Sequence, residues 1–167
     1  LPMHDPRYAP GFARTYQYDP TPGRHVKGGL GIMQMIGVLA NKYDYSETGQ
    51  MDAAMTASQE VENCAGFCTF MAQGGVMDAK EQYIAAVTGR TFTAEDSYKA
   101  GLRILNLRQA FNLREGFTPE SAAISARSVG IPALKTGPLD GVTVDTEQLA
   151  KNFFTHVGWD FSTGKPS

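Results

Sequence analysis

The chain has two cysteines, one tryptophan, no block of like charge and no long apolar run, and each shortage removes a class of protein. Cys64 and Cys68 are too few for the disulfide framework of a small secreted domain. Four positions apart at the end of a helix-like run, they would also bridge with awkward geometry, so they are read as reduced thiols. With 15 Lys and Arg against 17 Asp and Glu, the net charge is -2. That balance offers no basic patch for nucleic acid or an anionic membrane surface. The longest apolar stretch, residues 30–40, is interrupted by Gly31, Gln34 and Gly37 and is far shorter than the ~20 residues that cross a bilayer. No signal-peptide pattern opens the chain, and the expected compartment is cytoplasmic. Strand signals are scarce, and neither an internal repeat nor a low-complexity segment is present.

What remains is the composition of one compact domain or two small ones, with 42% hydrophobic and 19% charged residues in 167. The chain starts at Leu1 and runs into the turn-rich Pro2-Met3-His4-Asp5-Pro6-Arg7, and it stops at Ser167 after Gly164-Lys165-Pro166. Both ends predict a piece of a longer protein, whose site is completed elsewhere.

The fold expected is all-α and multihelical, with an irregular Pro/Gly-rich N-terminal segment and little or no strand. Residues 1–29 hold five of the nine prolines and four glycines, which leaves room for a short helix over 12–18. Met51, Ala54, Met55, Ser58 and Val61 recur at three-to-four spacing and predict a helix over 49–62 that delivers the chain to Asn63. Asp78 is placed to cap a helix over 79–87 that Gly89 ends. Thr93-Ala94-Glu95-Asp96 is a near capping box for a long helix to about residue 114, with Tyr98, Leu102, Leu105, Phe111 and Leu113 as its buried stripe. Gly116 stops it, residues 117–144 return to loop, and Asp145 caps a last helix over 146–156 closed by Gly158. The division drawn from this pattern is a site-forming part, 1–75, and a helical part, 76–167.

Few residues carry chemistry. Gly28-Gly29-Leu30-Gly31 lacks the spacing, the preceding strand and the Gly-Lys-Ser/Thr of a phosphate-binding loop, so close packing or a hinge is its expected role. His25 follows the rigid Pro20-Thr21-Pro22-Gly23-Arg24 and is the histidine whose direction the chain would fix, although taken alone it reads as a surface or hydrogen-bonded histidine. His4, beside Asp5, and His156, near a helix C-terminus, suggest no catalysis. Gly66, between the two cysteines, lets backbone amides approach an anion or a cofactor closely. Cys64 and Cys68 remain open to a packing role, or to zinc together with a histidine, although no second closely spaced ligand pair is present.

Taken together, His4-Asp5-Pro6-Arg7, Asp19-Pro20-Thr21-Pro22-Gly23-Arg24-His25, Asn63-x-x-Gly66-Phe67-Cys68-x-Phe70, Asn106-Leu107-x-x-x-Phe111-Asn112-Leu113-Arg114-Glu115-Gly116-Phe117 and Gly158-Trp159-Asp160 resemble, in this order, the C-terminal part of the tungsten-containing aldehyde ferredoxin oxidoreductases. The resemblance spans nearly the whole chain. It implies the helical part of an enzyme whose N-terminal β-rich domain, outside this chain, cradles a tungsten (or molybdenum) bis-pterin. By the same resemblance Cys68 is the fourth ligand of a 4Fe–4S cluster, and Asn63, Gly66, Phe67 and Cys68 form the segment that also contacts a pterin. Asn63 stands where the family usually has aspartate, which removes a charge and adds amide donors. Cys64 has no counterpart among the cluster ligands and is assigned to packing.

His25 matches a histidine near the metal and the aldehyde site, and hydrogen bonding to the substrate carbonyl is its implied role. The implied reaction oxidises an aldehyde to a carboxylic acid with ferredoxin as electron acceptor. The missing N-terminal portion, ferredoxin, a small-molecule aldehyde and further copies of the chain are the partners, and the chain alone is expected to be inactive. Two other readings stand beside this one: a helical packing or interaction module without a site, and a thiol or zinc site at Cys64 and Cys68. Related tungsten enzymes that reduce activated aromatic acids share the same resemblance.

Overall fold

Local signals set most helix boundaries in the computed structural model, which describes residues 3–71 and 79–167. The chain forms α1 (Gly11–Tyr18), α2 (Leu30–Met35), α3 (Thr48–Ala65), a single turn α4 (Thr69–Met71), α5 (Lys80–Thr88), α6 (Ala94–Arg114) and α7 (Thr146–Val157). Short 3-10 turns at Pro119–Ala122 and Ala126–Val129 punctuate the loop before α7. Among the described residues no strand forms, and only the isolated bridges Leu134 to Asp140 and Trp159 to Pro166 appear. The all-α expectation therefore holds.

Caps explain where the long helices begin and end. The Thr93 hydroxyl accepts the Asp96 N–H at 3.1 Å while the Asp96 carboxylate accepts the Thr93 N–H at 2.9 Å, a reciprocal box that starts α6. Asp145 accepts the Gln148 N–H at 2.9 Å and starts α7. Gly66, Gly89 and Gly158 end α3, α5 and α7 at φ of 78°, 68° and 74°, a left-handed conformation that costs a side-chain-bearing residue about 1–2 kcal/mol. The expected cap Asp78 lies outside the described residues. α2 was not foreseen; its six residues start directly after the Gly28-Gly29 pair.

Helix α3 is the central strut, packed along α6 and α7, while α1 rests on α2 and α7. One part of the core joins Ala53, Leu105, Phe153, Phe154 and Trp159; a second joins Ala13, Leu30, Val129, Val144 and Leu149. The Pro/Gly-rich N-terminal segment is thereby threaded into the core, with Ala9, Phe12 and Ala13 fully buried.

Two contacts are so close that only small residues fit. A Cβ on Gly101 would overlap the Ala57 carbonyl across the α3–α6 seam, and one on Gly31 would come within 2.5 Å of the Phe12 ring. The Gly28–Gly31 run is thus a packing device. The same closeness corrects the stripe expected on α6: its buried positions are Ser97, Gly101, Leu105 and Gln109, whereas Tyr98 and Phe111 face outward. A close seam admits small residues, and the large ones are displaced to the other face.

Charge is buried in the same strut. Asp52, Thr56 and Glu60, spaced four apart on α3, are all at most 1% exposed. The Arg14 guanidinium, fully buried, grips Asp52 through two of its nitrogens, one at 2.7 Å. It donates to Thr56 Oγ1 at 3.1 Å and stacks 4.0 Å over the Phe153 ring. Such a bidentate, further hydrogen-bonded arrangement is what makes an ion pair tolerable in a low-dielectric core.

Candidate functional site

Two segments carry the chemistry expected from the sequence. The first is the turn from Asp19 to Lys27. Asp19 ends α1 and accepts the Thr21 N–H at 2.8 Å, Gly23 N–H bonds back to the Tyr16 carbonyl at 3.0 Å, and Asn112 on α6 donates to the Pro20 carbonyl at 2.7 Å. These three ties fix the loop that presents His25 half-exposed. Its ring meets His4 at 4.7 Å between centroids and 86° between planes. Burial, and then the charge of His4, hold the His25 pKa below the usual imidazole value, which favours the neutral ring.

The second segment follows α3. Left-handed Gly66 turns the chain out of the helix, with Phe67 N–H bonding back to the Glu62 carbonyl at 2.9 Å. Asn63 donates its side-chain N–H to the Gln59 carbonyl at 2.6 Å, and Phe67 lies 6.1 Å from the Tyr83 ring. Cys68 is exposed. Cys64 is exposed as well, so the packing role expected for it is corrected: the last turn of α3 has rotated it off the core face. Both cysteines are free.

One residue touches both segments. Arg108 on α6 donates to Thr21 Oγ1 at 3.4 Å and reaches within 4.0 Å of Cys64 Sγ, four residues before Cys68. Its Nε lies 2.9 Å from Glu60 Oε2, although the N–H points away from the line of a true hydrogen bond and leaves that oxygen unsatisfied. The other Glu60 oxygen takes Lys27 Nζ at 3.1 Å, with both side chains buried. Among the described residues no hydrogen bond or ring contact joins His25 to Cys68; Arg108 is the connection between their segments.

Lys27, Glu60 and Arg108 were not singled out from the sequence. The four-residue spacing of Asp52, Thr56 and Glu60 was the available signal, since a polar stripe on an otherwise apolar helix face asks for buried partners. His4 was set aside and proves to be the neighbour of His25.

Among the described residues no group of three or more His, Cys, Asp or Glu side chains is placed to hold a metal ion. A single exposed thiol on an open turn, where a Cβ at Gly66 would meet nothing within 4 Å, fits one ligand donated to a cluster completed by other residues. No described helix is long and apolar enough to cross a membrane.

Over its whole length, residues 1–167, the chain matches the family model described as aldehyde ferredoxin oxidoreductase, domains 2 & 3. It belongs to that family of oxidoreductases. No individual curated protein matches it.

Proposed function

We propose that this chain is the helical part of a tungsten (or molybdenum) bis-pterin and iron–sulfur enzyme that oxidises aldehydes to carboxylic acids and passes the electrons to ferredoxin. The observation that carries the reading is the position of Cys68, exposed just beyond the left-handed Gly66 in a chain that matches the family throughout. When bound, the pterin-held metal and the 4Fe–4S cluster supply the redox chemistry. The residues of this chain bind, orient and enclose.

Cys68 supplies one thiolate to the cluster, and the other ligands come from the rest of the enzyme. Gly66 keeps the approach free of a side chain, while its own N–H and that of Phe67 bond back to the end of α3 and hold the turn that presents Cys68. Asn63 has its amide N–H committed to Gln59, which leaves the amide oxygen for a donor on the pterin. Phe67, against Tyr83, sets the direction in which the turn leaves the helix. At the other segment, His25 is kept neutral and so can share a hydrogen bond with the oxygen of the aldehyde carbonyl as charge develops there.

The test is metal analysis of the full-length protein produced anaerobically. About four irons and one tungsten or molybdenum per chain, with iron lowered in Cys68→Ala while Cys64→Ala keeps it, supports the assignment. Equal iron in Cys68→Ala and the parent removes Cys68 from the cluster. A well-folded protein that takes up zinc alone ends the reading.

A further inference from the structure

His4 lies in a turn-rich segment and yet is tied to α1 through both its ring and its backbone. Its ring stacks on Phe12 at 5.0 Å and 22°, and Phe12 stacks in turn on Tyr16 at 5.8 Å. Tyr16, almost wholly buried on α1, fastens both histidine segments: its hydroxyl accepts the His4 N–H at 3.0 Å and its carbonyl accepts the Gly23 N–H at 3.0 Å. The two imidazoles are therefore set against each other from one rigid helix, edge to face, 4.7 Å apart and both half-exposed. No ring N–H to N hydrogen bond joins them, so the contact acts through shape and charge.

We propose that His4 is a positioning residue for His25, fixing its ring plane by edge-to-face contact and disfavouring a second proton on the pair. The inference rests on the reading that His25 works at the aldehyde site. Two imidazolium rings at this separation repel, whereas one charged and one neutral ring attract, because a charged edge meets a π face. The direction of the His25 pKa agrees: burial lowers it most and the charge of His4 lowers it further. The other charged and titratable groups on the segments packed against the pair are few. Asp5 and Arg7 neutralise each other through a 2.7 Å contact, Tyr16 is engaged through its hydroxyl, and Arg24 adjoins His25 in sequence. Burial, the larger influence on His25, stays when His4 is replaced, so the substitution reduces the effect without abolishing it.

The experiment uses the full-length protein with His4→Phe, which keeps an aromatic ring on Phe12 but cannot be charged, and His4→Ala, which removes the contact. First, the full-length protein as purified is treated with diethyl pyrocarbonate across pH 5–8, and His25 modification, which requires the neutral ring, is followed by peptide mass spectrometry. His4→Phe should move the midpoint of His25 modification to higher pH; coincident midpoints overturn the proposal. Second, in the loaded enzyme, His4→Phe should shift the acid limb of kcat/KM in the same direction. His4→Ala should lower kcat about tenfold with little change in KM, as expected for a reacting group that is still present but misaligned. Unchanged kcat in His4→Ala, at parental iron and tungsten content, also overturns it. A loaded parent enzyme that fails to oxidise aldehydes defeats the functional reading instead, and the modification profile then still decides for or against the pair.

Discussion

Asp19 is the carboxylate whose removal should help the protein. The Arg14 guanidinium is engaged bidentately by Asp52, so Asp19, 3.4 Å from Arg14 Nη1, adds a second negative charge to a cation already neutralised. Burial pushes the Asp19 pKa up from 3.8 to about 6, against the pull of Arg14. The folded chain thus keeps a proton that the unfolded chain gives up. In the window from about pH 4 to 6 the native state binds more protons, so stability falls as pH rises and the loss is complete above the folded pKa. At 1.36 kcal/mol per pH unit, the penalty carried at neutral pH is of order 3 kcal/mol. Asp19→Asn removes that penalty, which is already net of the contacts to Arg14 and Thr21, and keeps an acceptor for the Thr21 N–H. Improved stability at pH 7.5, by about 1–3 kcal/mol, is the expected net result. Asp52→Asn breaks the bidentate pair and should cost about 3–5 kcal/mol. Amide hydrogen exchange of the α1 and α3 peptides, read by mass spectrometry between pH 4.5 and 7.5, measures both variants where the change occurs. If Asp19→Asn retains the fall in protection with rising pH, or weakens α1 as much as Asp52→Asn does, the charge assignment in this core is wrong.

Three further substitutions probe the framework around the site. Gly101→Ala places a Cβ into the Ala57 backbone and should cost about 1–3 kcal/mol, seen as a lower melting temperature and faster exchange along both α3 and α6. Trp159→Phe keeps the ring packing but leaves Asn106 without the indole N–H it accepts at 2.7 Å; a loss of about 1–2 kcal/mol, measured by denaturant unfolding, is expected. Gly66→Ala meets no neighbouring atom, so it should pay only for its φ of 78°, about 1–2 kcal/mol, while shifting the turn that presents Cys68. Loss of iron from that variant of the full-length enzyme, at a near-parental melting temperature, would separate the ligand role of the turn from its stability.

What could be read from the sequence was whatever depends on neighbours in the chain. The capping box at Thr93, the cap at Asp145 and the glycines closing α5 and α7 act within a few residues, and each stands where the pattern predicted, whereas α3 runs three residues beyond its expected end before Gly66 closes it. The α6 stripe failed because hydrophobicity was counted without the distance between helices. A seam drawn close by Gly101 buries Ser97 and Gln109 and turns Phe111 outward, and no periodicity of α6 alone contains the position of Ala57. The charged strut was illegible for a related reason: Arg14 meets Asp52 across 38 positions and Lys27 meets Glu60 across 33, so each reads alone as a surface charge. The site divides the same way. Cys68 and Gly66 form one local turn and were visible as a motif, whereas the neighbour of His25 is chosen by Tyr16, which holds His4 through its hydroxyl and Gly23 through its carbonyl. A tyrosine twelve positions from one histidine and nine from the other is a tertiary instruction. Its removal is therefore the sharper probe of the pair: Tyr16→Phe keeps the ring in the core and the backbone bond to Gly23, and deletes only the hydroxyl that accepts the His4 N–H. If that bond fixes the pair, Tyr16→Phe should raise the pH midpoint of His25 modification in the same direction as His4→Phe, with a smaller amplitude; an unmoved midpoint would mean that stacking on Phe12 holds His4 unaided.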